Sequence, residues 1–393
     1  INNEGVPYLN PVKDIKKWAI AAANAKRLVD IKPNDLYTVP KMENTPTFPV
    51  PAAEQGDFPD GVGGIDPYHS YIDMFNGECV LASSNREILF SRQSTGINGM
   101  NKYAAPGVLN AWNVFFVPQS LVDAYYMADG RTINNASEAY PYEEGYTNTD
   151  LVFSGEKNSN GFTLLSGTHK WYANREMRFY ANILYDGAMW GYGDDNHAIA
   201  IYEPGEEGVL PGEQSPSYTD GEYWNATQTG YYMRKFLDPT YDQYSETIMD
   251  TTPWIFFRLA EFYLNYAECQ IELGNKDEAL KYINYIRNRA LLPDALGIDI
   301  RAEYEYERMI ELMFEGQRFF DLRRWKKMET IYSQENWPTG LKIYKLKDGT
   351  LLYQHNENPL QQRKFVSPQM YWMPVPRYEL NKCPNLDGKP YEN

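Results

Sequence analysis

The chain has 393 residues, with 37 basic and 53 acidic side chains and a formal net charge of −16. An acidic surface of this kind repels phosphate backbones and anionic lipid, so nucleic acid is not an expected partner. No run of about eighteen apolar residues is present, so the sequence predicts no membrane-spanning helix.

Helical periodicity marks several segments in chain order. Residues 14–31 are rich in alanine, and we expect Asp14 to cap this helix at its start. A shorter helix is predicted to begin near Pro118 and to stop at Gly130. Residues 253–291 and 301–331 are also predicted to be helical, and within the first of them Cys269 is expected to be a small core residue.

The three cysteines are far apart and show no CxxC spacing, so the spacing supports neither a zinc ribbon nor a disulfide framework. The remaining segments are rich in loops. Residues 39–66 are dense in proline and glycine, whereas residues 132–167 and 187–230 are long, polar and rich in tyrosine. Loops of this length are usually functional or disordered, and their many aromatic residues argue against disorder.

The predicted helical hairpin within residues 253–291 carries a repeat signature. Small and apolar residues fall where a tetratricopeptide repeat places its packing positions: Ala267, Gly274, Ala279, Ile283, Ile286 and Pro293. One hairpin cannot bury its own face, so we expect residues 14–31 and 301–331 to stack on it.

Charged residues crowd residues 308–325, RMIELMFEGQRFFDLRRW. Opposite charges three positions apart predict local ion pairs on one helix face: Arg308 with Glu311, Glu315 with Arg318, and Arg318 with Asp321. Because the charges alternate in sign beside an apolar stripe, we interpret the segment as helix packing rather than as a ligand site.

Three segments follow one another in the second half of the chain: RLAEFYLNYAEC, ALKYINYIRNRA and ERMIELMFEGQRFFDLRRWKKM. In these motifs and in their order the chain resembles the SusD/RagB family of Bacteroidetes surface lipoproteins. Further matching segments are SNREILFSRQ (84–93), FFVPQSLVDAYYMADGRTI (115–133), WYANREMRFYANILYDGAMW (171–190), GYYMRKFLD (230–238) and YWMPVPRYELNKCPNL (371–386).

The resemblance implies a mostly α fold, in which tetratricopeptide-like helical hairpins form a scaffold beside a long irregular region with a few short strands. We expect a single unit over residues 1–393, with the scaffold at 14–31 and 253–331. The ligand-facing region would be 39–110 and 132–250, and residues 332–393 would pack on the scaffold as a tail. Family members carry a longer N-terminal part with a lipid-bearing cysteine, so we expect the sequence to lack that part.

The function implied by the resemblance is non-catalytic nutrient capture at the extracellular face of the outer membrane. The expected partners are an oligosaccharide and a SusC-like TonB-dependent transporter, with anchoring through an N-terminal lipid. One alternative keeps this role but takes peptides as ligand, as RagB-like relatives do. A more distant alternative is a glycoside hydrolase.

Candidate ligand contacts come from the loops, because a sugar needs aromatic planes beside short polar side chains. The candidates are Tyr140, Tyr142, Tyr146, Trp190, Tyr192, Asp194, Asp195, Asn196, Trp224 and Asn225. For each ring, packing back onto the scaffold is the competing interpretation. Trp112 and Trp171 are expected to be structural. The acidic cluster 194–196 also has the hard oxygens that Ca²⁺ prefers, although a solvated turn explains it better. Otherwise no cofactor is expected.

The sequence offers little support for catalysis. None of its four histidines belongs to an HExxH motif or to another spacing typical of metal ligands. They are His69, His169, His197 and His355. No GxSxG, P-loop or GxGxxG motif occurs in a suitable context. Carboxylate pairs suited to a glycosidase are always available among so many acids, and without a motif they indicate nothing.

Overall fold

The computed structural model describes residues 12–31, 35–43, 45, 56–77, 79, 85–92, 103–106, 114–152, 163–190, 197–212, 227–237, 254–332, 338–357, 365–372 and 376–383. The α-helices in these ranges are α1 (Ile15–Asp30), α2 (His69–Ile72), α3 (Gln119–Ala124), α4 (Met177–Asn182), α5 (Leu259–Leu273), α6 (Lys276–Arg289), α7 (Ile300–Glu311), α8 (Gln317–Arg324), α9 (Met328–Ile331) and α10 (Arg377–Lys382). None of them has both the length and the apolar character needed to cross a membrane.

The strands of the described ranges are short and form small separate sheets. They are β1 (Val39–Pro40), β2 (Ile65–Asp66), β3 (Ile88–Arg92), β4 (Leu151–Val152), β5 (Thr163–Leu164), β6 (Ile183–Leu184), β7 (Met189–Trp190), β8 (His197–Ala198), β9 (Glu203–Pro204), β10 (Tyr232–Met233), β11 (Trp254–Arg258), β12 (Gly340–Lys345) and β13 (Leu351–Asn356). β12 and β13 form an antiparallel hairpin in which Ile343 faces Tyr353, and β9 adds to β12 in parallel. The fold is mostly α, as predicted.

The helical scaffold is built on the α5–α6 hairpin. Gly274 turns the chain between the two helices with a left-handed φ of 84°, which glycine adopts without strain. Ala267 and Ala279 are fully buried, so small side chains lie where the helices approach each other. α1 packs along α5, and α7 packs against both hairpin helices, as the sequence predicted for the stacking partners. Asp14 caps α1 by accepting a hydrogen bond from the Lys16 N–H at 3.0 Å.

Three helix predictions need correction. The predicted helix over residues 253–291 contains β11 before α5, because the run WIFFR is aromatic and β-branched and pairs with β3 in an antiparallel sheet. Residues 301–331 form three helices, since the chain turns through positive φ at Phe314 and Gly316. The helix near Pro118 ends at Ala124, well before Gly130.

Among the described residues, many aromatic side chains outside the scaffold lie in a large core around α4. The rings of Tyr172, Phe179 and Tyr185 stack within this core, with Tyr172 and Tyr185 centroids 4.5 Å apart. A second core lies among α1, α5, α6 and α7 and contains the buried Cys269. This aromatic core therefore supports the described parts of the irregular segments.

Residues 308–325 take part in helix packing, as the sequence predicted, but their ion pairs differ from the predicted ones. Arg308 Nε donates to Asp321 at 2.7 Å, a pair that joins α7 to α8. Glu311 and Glu315 reach across the molecule instead of along their own helix. Burial removes competing water, so these carboxylates pair with the cations that the fold brings to them.

Glu311 is the centre of a buried charge network. Its carboxylate accepts hydrogen bonds from Arg178 at 3.0 Å, from Arg258 at 2.8 Å and from Arg289 at 2.5 Å. Glu87, Glu176, Glu307 and Glu315 complete the set of buried acids around these arginines. Burial alone raises the pKa of Glu311, but the arginines outweigh it and hold this pKa well below its usual range. The network ties α4, β11, α6 and α7 to Glu87, the residue before β3, in one frame.

Candidate ligand-binding site

The loop 138–150, here called the tyrosine loop, is fixed by hydrogen bonds to residues 163–175. Lys170 N–H donates to the Gly145 carbonyl at 2.9 Å, and Thr147 N–H donates to the Thr168 carbonyl at 2.9 Å. Gly167 N–H returns a bond to the Thr147 carbonyl at 2.7 Å. The loop therefore has a fixed shape despite its irregular sequence.

The three tyrosines predicted in this loop have different surroundings. Tyr146 keeps 39% of its surface exposed, and its hydroxyl donates to the Leu351 carbonyl of β13. Tyr142 is half-buried and lies parallel to Trp171, with the ring centroids 6.2 Å apart. Tyr140 is half-buried, and its N–H donates to Ser137 Oγ at 3.2 Å. Tyr146 thus offers the most open ring of the three.

His169 anchors the base of the tyrosine loop. Its ring lies 5.3 Å from the Tyr146 ring and 4.5 Å from the Tyr353 ring. Burial lowers the pKa of His169 to about 4, so the imidazole is neutral at neutral pH. Nδ1 accepts a hydrogen bond from Trp171 N–H at 3.2 Å, and Nε2 lies 3.5 Å from the Glu144 carboxylate.

The β12–β13 hairpin supports the same surface from the other side. The Tyr353 hydroxyl donates to Asp186 Oδ2 at 2.7 Å, and burial raises the pKa of Asp186 to about 6. Sequence reasoning missed His169, Tyr353 and Asp186 as supporting residues. Their proximity arises only because the hairpin folds back over residues 163–190, and no local pattern signals that contact.

Trp190 differs from the expectation of an exposed ring. It is 4% exposed in β7, and the Arg234 guanidinium lies 5.8 Å from its ring centroid. Trp171 is buried, as expected of a structural residue. The remaining candidates lie outside the described residues: Tyr192, Asp194, Asp195, Asn196, Trp224 and Asn225. Trp112 and the residues of the Ca²⁺ hypothesis also lie outside them.

A separate groove of about 340 Å³ lies between α1, α5 and α8. No residue of the tyrosine loop lines it. The carboxylate that lines it, Glu268, already accepts hydrogen bonds from Arg324 at 2.6 Å and Trp325 at 2.8 Å. Tyr304 donates to the same carboxylate at 2.9 Å. Because the acceptor oxygens of Glu268 are occupied by the protein, this groove suits a polar ligand less well than the tyrosine loop does.

In the part of the chain that the structure describes, no group of three or more His, Cys, Asp or Glu side chains is arranged to hold a metal ion.

Comparison with known proteins identifies the class of protein. The SusD family profile matches residues 80–391, and the chain belongs to this family. Among curated proteins, SusD-like protein P38 of Formosa agariphila is 28% identical over 180 residues, covering 40% of this chain and 34% of that protein.

Solved structures show the same fold. A SusD-like protein from Bacteroides fragilis has a TM-score of 0.63 at 23% identity, covering 93% of this chain and 60% of that chain. A SusD-like carbohydrate-binding protein from the same species has a TM-score of 0.59 at 19% identity, covering 95% of this chain and 62% of that chain. The chain therefore spans less than two thirds of the length of these relatives.

Proposed function

We propose that this protein is a non-catalytic surface subunit that captures oligosaccharides. The observation that carries the proposal is the tyrosine loop, in which a partly open aromatic ring lies on a rigid base beside exposed amide and hydroxyl side chains. Sugar rings present apolar C–H faces edged by hydroxyl groups, and this combination of surfaces complements them. Family membership and the carbohydrate-binding relative support the same assignment.

The ring of Tyr146 is the proposed stacking surface. Its hydroxyl is held by the Leu351 carbonyl and its edge by His169, so the ring orientation is set before a ligand arrives. Such preorganisation reduces the entropy lost on binding. Capture followed by release requires moderate affinity, and micromolar binding corresponds to about −8 kcal/mol.

We further propose that the captured ligand passes to a SusC-like TonB-dependent transporter at the outer membrane, where a lipid anchor would hold the protein. We also assign the α5–α6 hairpin as a tetratricopeptide-like unit, on the strength of its buried alanines and its glycine turn. Co-purification of the full-length protein with an outer-membrane β-barrel transporter tests the first of these assignments.

Isothermal titration calorimetry with a panel of defined oligosaccharides tests the proposed function. Tyr146→Ala should weaken binding about three- to tenfold, because it removes a stacking ring. Tyr378→Ala is the matched control, since Tyr378 is 61% exposed on α10 away from the tyrosine loop. Absence of binding heat with every oligosaccharide would refute glycan capture.

A peptide ligand is the second candidate, and the acidic residues of the tyrosine loop favour it for basic peptides. Glu138, Glu143, Glu144 and Asp150 are all exposed in this loop. A mixture of basic peptides in the same calorimeter separates the two ligand classes. Hydrolysis is tested by incubating the protein with polysaccharide, and released reducing ends would favour a glycoside hydrolase instead.

A further inference from the structure

A small cleft opens between the tyrosine loop and the segment that supports it. Its volume is about 230 Å³, and its lining is Pro141, Glu143, Thr147, Asn148, Thr149, Lys170, Ala173 and Asn174. Pockets for drug-sized ligands are usually about 300 Å³ or larger, so this cleft fits one small ring rather than a long chain segment.

The cleft combines an apolar surface with polar side chains that are available for a ligand. Pro141 and Ala173 contribute the apolar surface. Asn148 and Thr149 are exposed at its edge, and within the described residues neither side chain takes part in a hydrogen bond. A side-chain amide and a hydroxyl both donate and accept, as the vicinal hydroxyls of a sugar require.

The walls of the cleft are held in place from behind. Asn174 Nδ2 donates to the Pro141 carbonyl at 3.2 Å, which joins the two walls across the base. Thr147 Oγ1 donates to the Leu165 carbonyl at 2.7 Å. The polar edge is thus carried on a backbone that needs little reordering on binding.

The charges around the cleft select against anions. Lys170 is the cation that lines it, and its ammonium group is paired with the Glu143 carboxylate at 2.9 Å. Glu138, Glu144 and Asp150 add exposed negative charge on the same loop. Carboxylates on the same loop repel a polyanion that approaches to within the Debye length, which is about 8 Å at physiological ionic strength.

We propose that this cleft is a subsite for one uncharged sugar ring, with Asn148 and Thr149 as its hydrogen-bonding residues, and that the surrounding carboxylates exclude uronate and sulfated glycans. This inference rests on the proposed glycan-binding function. It assigns the ligand class, neutral oligosaccharides, and a position on the tyrosine loop, in the cleft lined by Thr147, the residue that follows Tyr146.

The test compares a neutral glucan oligosaccharide, a polyuronate oligosaccharide of the same length and a lysine-rich peptide by calorimetry. The double variant Asn148→Ala with Thr149→Ala should bind the neutral glucan about tenfold more weakly. Asn134→Ala is the matched control, because Asn134 is exposed in the preceding segment and does not line the cleft. Replacing Glu138 and Glu144 with glutamine should raise polyuronate binding severalfold.

The outcomes separate the two proposals. Neutral-glucan binding that is equal in wild type and in the Asn148, Thr149 double variant would overturn the subsite and leave glycan capture intact. Polyuronate binding as tight as glucan binding would overturn the charge selection alone. Binding of the peptide and of neither glycan would overturn both the subsite and the proposed function.

Discussion

Glu311 shows how a single buried residue organises the molecule. Three guanidinium groups, from Arg178, Arg258 and Arg289, donate to its carboxylate, and each comes from a different element. A buried ionic group of this kind adds little net stability compared with apolar packing. Removing one partner, however, leaves the other charges buried and unpaired, which is strongly destabilising.

Glu311→Ala should therefore lower the free energy of unfolding by about 3–5 kcal/mol. Urea denaturation followed by circular dichroism measures this loss. The matched control is Glu379→Ala, whose carboxylate lies 3.6 Å from Lys382 on the exposed helix α10. An exposed pair contributes about 1 kcal/mol or less, so the control should change little. Equal effects of the two substitutions would contradict the central role of Glu311.

The sequence predicted the architectural role of residues 308–325 but not their partners. Spacing along a helix reveals neighbours three or four positions away, and it suggested Arg308 with Glu311. In the structure Arg308 pairs with Asp321, 13 positions away, and Glu311 pairs with Arg178, 133 positions away. Partners at such separations depend on the complete packing and leave no local pattern.

At the scale of elements, the 3-10 helix Lys170–Tyr172 connects the tyrosine loop to the core. His169 precedes this helix, and its Nδ1 caps it by accepting the Trp171 N–H. A protonated Nδ1 cannot accept that bond, which agrees with the lowered pKa that burial gives His169.

We expect the contribution of His169 to the stability of the protein to fall as the pH drops from about 6.5 to about 4. In the unfolded chain His169 binds its proton near pH 6.5, whereas in the folded protein burial lowers its pKa to about 4. Between these values the unfolded state holds more protons, so acid favours unfolding; below about 4 this contribution stops changing. Asp186 acts in the opposite sense at overlapping pH, because burial raises its pKa to about 6 in the folded state.

The contribution of His169 is therefore measured as a difference between variants. His169→Phe keeps a ring in place but cannot titrate, so its stability should fall less over this pH range than that of the wild type. An NMR titration of the His169 ring in the native protein gives the midpoint directly. A midpoint near the ordinary value of about 6.5 would refute the assignment.

The same element shows where sequence reasoning about the site stopped. Tyrosines in a polar loop identified residues 140–146 as a candidate surface, and Tyr146 is the one that the structure leaves most open. Composition gave no means to distinguish it from Tyr142, which lies against Trp171. Trp190 was a candidate contact with burial as the competing interpretation, and the structure favours burial, since its ring lies in the core. The local sequence around the short strand β7 resembles a loop and gave no sign of this.

At the scale of the whole molecule, the uneven placement of charge determines which ligands can approach. Arg178, Arg258, Arg289 and Lys235 are buried and neutralised within the scaffold by carboxylates. The acidic residues of the tyrosine loop, in contrast, lie in water. The exposed carboxylates of the tyrosine loop are therefore part of the surface that a ligand meets. The acidic net charge of −16 was predictable from composition, whereas the buried network was not.

This placement of charge predicts different salt responses for neutral oligosaccharides and for polyuronates. Raising the ionic strength from about 0.01 M to about 1 M shortens the Debye length from about 30 Å to about 3 Å. The affinity for a neutral oligosaccharide should change less than about twofold over this range, since uncharged hydroxyls carry no Coulomb interaction to screen. Any binding of a polyuronate should instead strengthen with salt as repulsion from the tyrosine loop is screened. Calorimetry at both salt concentrations measures the two trends. A steep loss of affinity for the neutral oligosaccharide at high salt would mean that recognition depends on ionic contacts rather than on stacking and neutral hydrogen bonds.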